Sequence, residues 1–216
     1  MSLQGTTLVC FAVGQERGDF RHGRERGSRV KVVVSGMGSA RARAAVERAI
    51  QTHRPDQVLT CGFAGGLDPA LQVGAVVFET RVESMASVLR AAGARPARFH
   101  CADRIAITDE EKASLRSRTQ ADAVEMESQS IHQVCVQNSL PCATLRVISD
   151  AASDTLPLDF NQLLNAELQL SPMKLALRIL RSPGRIPGLM KLGRQSAFAA
   201  GRLAEVLEAV LGLEKR

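Results

Sequence analysis

Short runs of apolar, often β-branched residues recur along the chain, and they constrain its fold more than any other feature of the sequence. Runs of this length and composition are typical of buried strands. They lie at residues 8–13, 30–34, 57–61, 73–78 and 143–148. Between the runs, the apolar residues follow the spacing of an amphipathic helix, most clearly in the segment after residue 38. The members of that stripe are Ala42, Ala45, Val46, Ala49 and Ile50.

The alternation of strands and helices predicts an α/β fold, in which a central mixed, mostly parallel sheet lies between two helical layers. Further helices are predicted at residues 110–118 and 127–138, whereas residues 81–98 fit neither pattern. The length suits one domain, with a core at about residues 8–160 and a helical tail at about 161–216. Ligands bind such sheets beyond the carboxyl ends of the strands, so the residues that follow the predicted strands are candidates for a functional site.

The charge of the chain is concentrated near its end. The net charge is +6, and nine Lys and Arg residues against three Glu residues from residue 171 onward account for all of it. Such a tail is typical of a solvated helical face, and it also suits contact with an anionic membrane surface. Aromatic residues make up only 3%, and no nucleic-acid-binding motif is present, so nucleic acid is not an expected partner.

The five cysteines include no CxxC pair, which suits a reducing cytoplasm and argues against a disulfide scaffold. The four histidines show no metal-ligand spacing, so no metal site is expected. The N-terminal residues lack the pattern of a signal peptide, and no run approaches the roughly 20 apolar residues of a membrane span. These features predict a cytoplasmic protein.

Two acidic residues follow the mostly apolar segment 121–124. Glu125 and Glu127 flank Met126, so one carboxylate can point into a cleft. A carboxylate accepts two hydrogen bonds and can therefore clamp the vicinal hydroxyls of a ribose. The alternative is an acidic residue that caps the following helix, where the helix dipole favours negative charge.

Another acidic residue, Asp150, ends the last predicted strand beside Ser149. Partial desolvation there would let it hold a proton near neutral pH and donate it to N7 of a purine. The alternative is an ordinary aspartate in a turn. Glu16 lies in the loop after the first strand, where it can orient or deprotonate a water or can be a surface acid.

Glycines follow two strands. In Gly36-Met37-Gly38, the backbone N–H groups can approach a small anion or a water at the start of the next helix. In Gly62-Phe63-Ala64-Gly65-Gly66, three glycines allow the main chain to lie flat against a ligand. Neither stretch is a Walker phosphate loop or a dinucleotide-binding fingerprint.

Together, these stretches resemble the nucleoside phosphorylase and nucleosidase superfamily, and most closely the methylthioadenosine/S-adenosylhomocysteine nucleosidases and the hopanoid-associated phosphorylases. The resemblance covers about residues 8–160 and follows the family's order. The matching stretches are Ser35-Gly36-Met37-Gly38, Thr60-Cys61-Gly62-Phe63-Ala64-Gly65-Gly66-Leu67, Ala123-Val124-Glu125-Met126-Glu127-Ser128 and Arg146-Val147-Ile148-Ser149-Asp150.

The resemblance implies cleavage of the N-glycosidic bond of a purine nucleoside, with adenine as the base. Asp150 would protonate the base, Glu127 would bind the ribose hydroxyls, and Glu16 would activate the attacking water. Ile105 falls where relatives often place an aromatic residue over the base, which implies weaker stacking. Loss of a purine passes through an oxocarbenium-like sugar, which negative charge stabilises. The other implied substrate-binding residues are Glu125, Met126, Phe63, Ala64, Gly65 and Ser149, and those at the water or phosphate site are Gly36, Met37 and Gly38.

The chain departs from the family between Thr80 and Cys101, where it is short, which implies a more open 5′ side. Its tail at residues 182–196 resembles the extension of the hopanoid-associated members, which act on an adenosine with a large hydrophobic 5′ group. This suggests peripheral contact with the inner membrane surface. The resemblance also implies a homodimer and no cofactor, with inorganic phosphate as co-substrate only in a phosphorolysis.

Two alternatives stay open at this level. Glu16 favours hydrolysis, whereas Arg41 and Arg43 beside the glycine turn favour phosphorolysis. The chain can also be a non-catalytic nucleoside-binding relative, although the retention of Asp150, Glu127 and Glu16 together counts against this.

Overall fold

The computed structural model of the chain describes residues 2–20, 28–164 and 172–213. Within these ranges, one sheet of eight strands forms the centre of the molecule. The strands are β1 Thr7–Phe11, β2 Val30–Val34, β3 Gln57–Gly66, β4 Val76–Thr80, β5 Arg95–Pro96, β6 Phe99–Cys101, β7 Ala123–Glu125 and β8 Cys142–Asp150. The main order is β2-β1-β3-β8-β4-β5, and β7 pairs with both β3 and β6. The four strands β2, β1, β3 and β8 are parallel, whereas β4 is antiparallel to β8.

Helices cover both faces of the sheet. Their bounds are α1 Ser39–His53, α2 Glu83–Ala91, α3 Asp109–Thr119, α4 Ser128–Gln137, α5 Phe160–Leu163, α6 Pro172–Arg181 and α7 Ile186–Leu211. On one face, Val46 of α1 and Ile131 of α4 share a buried cluster with Leu8. On the other face, Leu207 of α7 packs in the largest cluster with Leu145. The predicted three-layer α/β/α fold is confirmed.

The predicted elements differ from the structure mainly at their ends. The five residues of the predicted stripe are all buried in α1, which begins at Ser39 with Gly38 as its N-cap. The strand predicted at 73–78 begins at Val76 because Gly74 turns the chain with a φ of +86°. Residues 81–98 contain α2 and β5. The short strands β6 and β7 were not predicted.

Helix α7 of the basic tail completes the helical layer on one face of the sheet. Helix α7 buries Leu203, Leu207 and Val210 against the sheet, so this helix belongs to the main core. Helix α6 begins with Pro172. Across the described ranges, none of the helices combines the length and the apolar character that crossing a bilayer requires.

Candidate active site

Strand β3 brings the motifs of the sequence together. Its first part pairs with β8 in parallel, and its register shifts between Ala64 and Gly65. After the shift, Gly65 pairs with Asp150 on one side and with Val124 of β7 on the other. A side chain at Gly65 would lie 3.2 Å from Val124 and 3.3 Å from the Asp150 carboxylate, so glycine allows this close approach. Asp150 of β8 and Val124 of β7 therefore lie on either side of Gly65.

A cavity of about 240 Å³ lies at this place. Its wall includes almost every residue that the sequence predicted for the site. These are Glu16, Met37, Phe63, Ala64, Gly65, Ile105, Glu125, Met126, Glu127, Ser149 and Asp150. The wall is completed by Ala12, Val13, Arg104, Ala106, Val124 and Leu156. Gly36 and Gly38 are not part of it, although Gly38 contacts a residue that is.

Glu16 is held in the cavity wall by main-chain donors. A short 3-10 turn, Gly14–Arg17, folds its side chain back under the end of β1. Its Oε2 accepts hydrogen bonds from the N–H groups of Ala12 at 2.8 Å and Val13 at 3.0 Å. Its Oε1 accepts one from the N–H of Phe63 at 3.0 Å. Three fixed donors orient this carboxylate and favour its charged form.

Glu127 lies at the junction of β7 and α4, where it is the N-cap residue of α4. Its side chain makes no capping bond to that helix. Instead, its Oε1 accepts a hydrogen bond of 3.0 Å from the N–H of Gly38 at the start of α1. The glycine turn after β2 thus positions a carboxylate, and that N–H group is already occupied.

Arg146 provides the positive charge behind these carboxylates. It lies in the middle of β8 and is fully buried. Its Nη2 donates to Oε2 of Glu125 at 2.7 Å and to Oγ1 of Thr60 at 3.2 Å, and lies 4.0 Å from Oε2 of Glu127. Burial alone would lower the pKa of Arg146, but the nearby charges of Glu125, Glu127 and Glu16 raise it instead. The guanidinium therefore stays charged.

The carboxylates respond differently to the same surroundings. Burial raises the pKa of Glu127 to about 7, against the opposing charge of Arg146. Burial also raises the pKa of Glu16, although Arg146 and the backbone donors oppose it. For Glu125, burial is outweighed by the charge of Arg146 and by the hydrogen bond from Ser128, so its pKa is lowered. The pKa of Glu127 thus lies near neutral pH.

The carboxylate oxygens of Glu125 accept hydrogen bonds from several groups of the protein itself. Besides Arg146, it accepts from the hydroxyl of Ser128 at 2.6 Å and from the N–H groups of Ser128 and Glu127 at 2.8 and 3.0 Å. It lines the cavity, but its oxygens serve to hold the guanidinium and the start of α4.

Asp150 faces the cavity from the last residue of β8. The Ser149 hydroxyl donates to its Oδ1 at 2.8 Å, and Nζ of Lys112 on α3 donates to its Oδ2 at 2.5 Å. The Lys112 side chain is completely buried. Both oxygens of the Asp150 carboxylate are therefore engaged by fixed donors.

The rim beside Ile105 is fixed by an amide. The side chain of Asn161 at α5 accepts a hydrogen bond from the N–H of Ile105 and donates one to its carbonyl, both at 2.9 Å. Arg104 also lines the cavity and pairs with Glu111 on α3 at 2.5 Å. These contacts fix the main chain at Ile105 on this side of the cavity.

Sequence reasoning assigned no role to Arg146, Lys112 or Asn161. The position of Arg146 inside an apolar strand could have indicated its role, because a buried cation needs a buried carboxylate as its partner. The sequence offered Glu125 as such a carboxylate. Lys112 gave no such signal, since it lies among the charged residues of α3. A larger cavity of about 800 Å³ lies between α4 and the strands β4 and β6, and its wall contains none of Glu16, Glu127 and Asp150.

The family of the chain follows from its comparison with known proteins. The family model for the phosphorylase superfamily matches residues 9–100 and 94–181. The chain therefore belongs to the phosphorylase superfamily.

Among individual relatives, the 5'-methylthioadenosine/S-adenosylhomocysteine nucleosidase of Glaesserella parasuis serovar 5 (strain SH0165) is 31% identical over 169 residues, which cover 62% of this chain and 74% of the relative. A nucleosidase of the same description from Colwellia psychrerythraea 34H, solved in complex with adenine, superposes with a TM-score of 0.70 at 19% identity and covers 98% of this chain and 97% of its own. Futalosine hydrolase of Helicobacter pylori strain 26695 superposes with a TM-score of 0.69 at 17% identity, covering 96% of this chain and 97% of its own. At these identities the solved structures show the shared fold.

Proposed function

We propose that this chain hydrolyses the N-glycosidic bond of a purine nucleoside, with adenine as the base, and releases the free base. The observation that carries the proposal is that one cavity is lined by Glu16, Glu127 and Asp150 together. The similarity to a 5'-methylthioadenosine/S-adenosylhomocysteine nucleosidase supports the reaction class. The adenine bound by the Colwellia structure supports the choice of base.

The proposed chemistry divides the work among the three carboxyl groups. As the bond between C1′ and N9 breaks, the sugar becomes positively charged and the base negatively charged. Ionised Glu127 holds the ribose hydroxyls and, with Glu16, stabilises the positive sugar. Glu16 takes a proton from the water whose oxygen joins C1′. Asp150 delivers a proton to the base.

The charge of the cavity favours water over phosphate as the attacking group. Its wall carries several buried carboxylates, and the N–H of Gly38, a candidate anion donor, already binds Glu127. Arg43 forms an ion pair with Glu47 at 2.9 Å and contacts Gln137, and it is not part of the cavity wall. An anionic phosphate would therefore meet like charge, which costs free energy.

The test is release of adenine from methylthioadenosine with and without inorganic phosphate, with the sugar product identified by mass. We expect equal rates and a free reducing sugar. Asp150→Asn and Glu16→Gln are expected to lower kcat by about 10²-fold or more, as general acid and base catalysis contribute on that scale. Glu47→Gln, at a partly exposed position of α1 outside the cavity wall, is the control and retains the wild-type rate. A rate that depends on phosphate, or Asp150→Asn at the wild-type rate, would contradict the proposal.

The proposed reaction uses side chains and water alone. Dialysis against a chelator is therefore expected to leave the rate of base release unchanged. A rate that falls on dialysis and returns with added metal would contradict this part of the proposal.

A second candidate is a substrate with a lipid-like 5′ group, met at a membrane surface. One observation favours it: α6 exposes apolar side chains between basic ones. The apolar residues are Met173, Leu177 and Leu180, and the basic ones are Lys174, Arg178 and Arg181. A basic amphipathic helix of this kind binds anionic interfaces.

Co-sedimentation with vesicles tests this candidate. We expect binding to vesicles that contain phosphatidylserine and little binding to pure phosphatidylcholine. Replacing Leu177 and Leu180 by serine should abolish it, whereas Val136→Ser, an exposed apolar residue on α4, should not. Equal sedimentation of wild type and the double variant would exclude a role of α6.

A further inference from the structure

Lys112 is a fully buried cation near the cavity, and such burial is unusual for a lysine. It lies on α3 with no solvent exposure. Its three N–H bonds have three acceptors: Oδ2 of Asp150 at 2.5 Å, and the carbonyls of Ala151 and Asp154 at 2.8 Å each. The ammonium group is thus fully satisfied, and its strongest partner is a carboxylate in the cavity wall.

Stability alone does not account for this arrangement. Burial of two opposite charges costs free energy that their attraction only partly returns, and apolar pairs of similar size are often as stable. A buried lysine beside a reacting carboxylate has a chemical use, because its ammonium group is a source of protons.

The geometry points to Lys112 as the residue that supplies the proton which Asp150 delivers to the departing base. This inference rests on the proposed hydrolysis. As the C1′–N9 bond breaks, its electron pair passes to the purine ring, and the ring nitrogen takes a proton from the Asp150 carboxyl group. That group takes a proton from Nζ of Lys112, which becomes neutral. The water oxygen joins C1′ and its proton passes to Glu16. After the products leave, a proton from solvent returns to Lys112 through the Asp150 carboxyl group, which lines the cavity, and the proton on Glu16 passes to solvent.

The charged groups around the pair are themselves paired. The Asp154 carboxylate is held by Lys191 of α7 at 2.9 Å, and on α3 the carboxylate of Asp109 accepts from the hydroxyl of Thr155 at 2.8 Å. Arg116, one turn along α3, binds Asp68 and Asp122. Within the cavity wall, Glu16, Glu125 and Glu127 also titrate or carry charge, so the test must separate them from Asp150.

A comparison of two leaving groups makes this separation. Adenine needs a proton to leave, whereas the nitrophenolate of 4-nitrophenyl β-D-ribofuranoside leaves without one. Effects of Glu16 and Glu127 on the sugar are common to both substrates and cancel in the ratio of their kcat/KM values. An isolated carboxyl group loses its proton as pH rises, whereas an ammonium ion holds its proton into alkaline solution. For the wild type, we expect a ratio of methylthioadenosine to nitrophenyl riboside that stays level from about pH 5 to about pH 9.

The variant Lys112→Met removes the proton source and keeps a side chain of similar length. We expect its ratio to fall by about tenfold or more on the alkaline side and to approach the wild-type ratio in acid. Arg116→Met, the matched loss of a cation on α3, should leave the ratio unchanged. Equal losses on both substrates would assign Lys112 a structural role and overturn the inference.

The wild-type profile keeps the inference testable if Lys112→Met does not fold. A wild-type ratio that falls with the ionisation of an ordinary carboxyl group would overturn it. The variant Asp150→Asn separates this failure from failure of the proposed function. If that variant retains the wild-type ratio, Asp150 is not the acid and the proposed function fails. If Asp150→Asn lowers the ratio while Lys112→Met leaves it at the wild-type value, only the inference about Lys112 fails.

Discussion

Gly62 is a position where a single added methyl group should disturb the candidate site by displacing the Glu16 carboxylate, while every reacting residue stays in the sequence. A Cβ built on Gly62 would lie 2.6 Å from Oε1 of Glu16 and 2.8 Å from its Cδ. Ordinary contact begins near 3.4 Å, so in Gly62→Ala the carboxylate must move by about 0.8 Å. That movement strains the bonds from Phe63, Ala12 and Val13. A displacement of about 1 Å costs on the order of 10²-fold in rate.

The same movement should also lower stability. Weakening one or two charge-assisted hydrogen bonds costs about 2–3 kcal/mol. We would measure kcat for adenine release from methylthioadenosine, and the free energy of unfolding in urea. The control is Gly14→Ala in the same 3-10 turn, where a Cβ meets nothing within 4 Å. Wild-type kcat and stability in Gly62→Ala would refute the placement of Glu16 against β3.

Four other perturbations follow from the structure. Because burial raises the pKa of Glu127 to about 7, kcat/KM should rise with pH through that value as the ribose-binding carboxylate ionises. Burial penalises the ionised form of Glu127, so Glu127→Gln should have a higher Tm than the wild type above about pH 7. A difference in Tm between the two proteins that is the same at pH 5 and at pH 8 would contradict this. Leu207→Ala, beneath the sheet, should cost about 2–4 kcal/mol in urea unfolding, whereas Leu180→Ala on exposed α6 should cost almost nothing. Asn161→Leu frees both backbone groups of Ile105 and should raise KM for methylthioadenosine more than it lowers kcat, and equal effects on both would count against a role in binding.

Much of the fold was predictable because its signals are local. The runs that became β1, β2, β3 and β8 are continuous in sequence, and the stripe of α1 follows one helical period. The strands β6 and β7 were not predictable, because three residues carry no periodicity and their pairing depends on the distant end of β3. Element ends moved for the same reason, as at Gly74, where a turn shortens the apolar run.

The candidate site divides in a similar way. Glu16, Glu127 and Asp150 could be selected because each follows a strand or apolar segment, where parallel sheets collect their ligands. Their roles remain proposals. Lys112 could not be predicted as a site residue, because the sequence of its helix is typical of a charged, solvated segment. Its burial depends on α3 docking against the end of β8, a contact between residues 38 positions apart.

Strand β3 connects the proposed binding places of the base and the sugar, because its shifted end lies between Asp150 of β8 and the start of β7. The spacing between the base and the sugar is therefore a property of hydrogen-bonded main chain and does not depend on the surface loops. Exchange of rim segments, such as the one around Ile105, would then alter which nucleosides enter while the bond-breaking groups keep their separation. Substrate range and reaction type can vary independently in a molecule built this way.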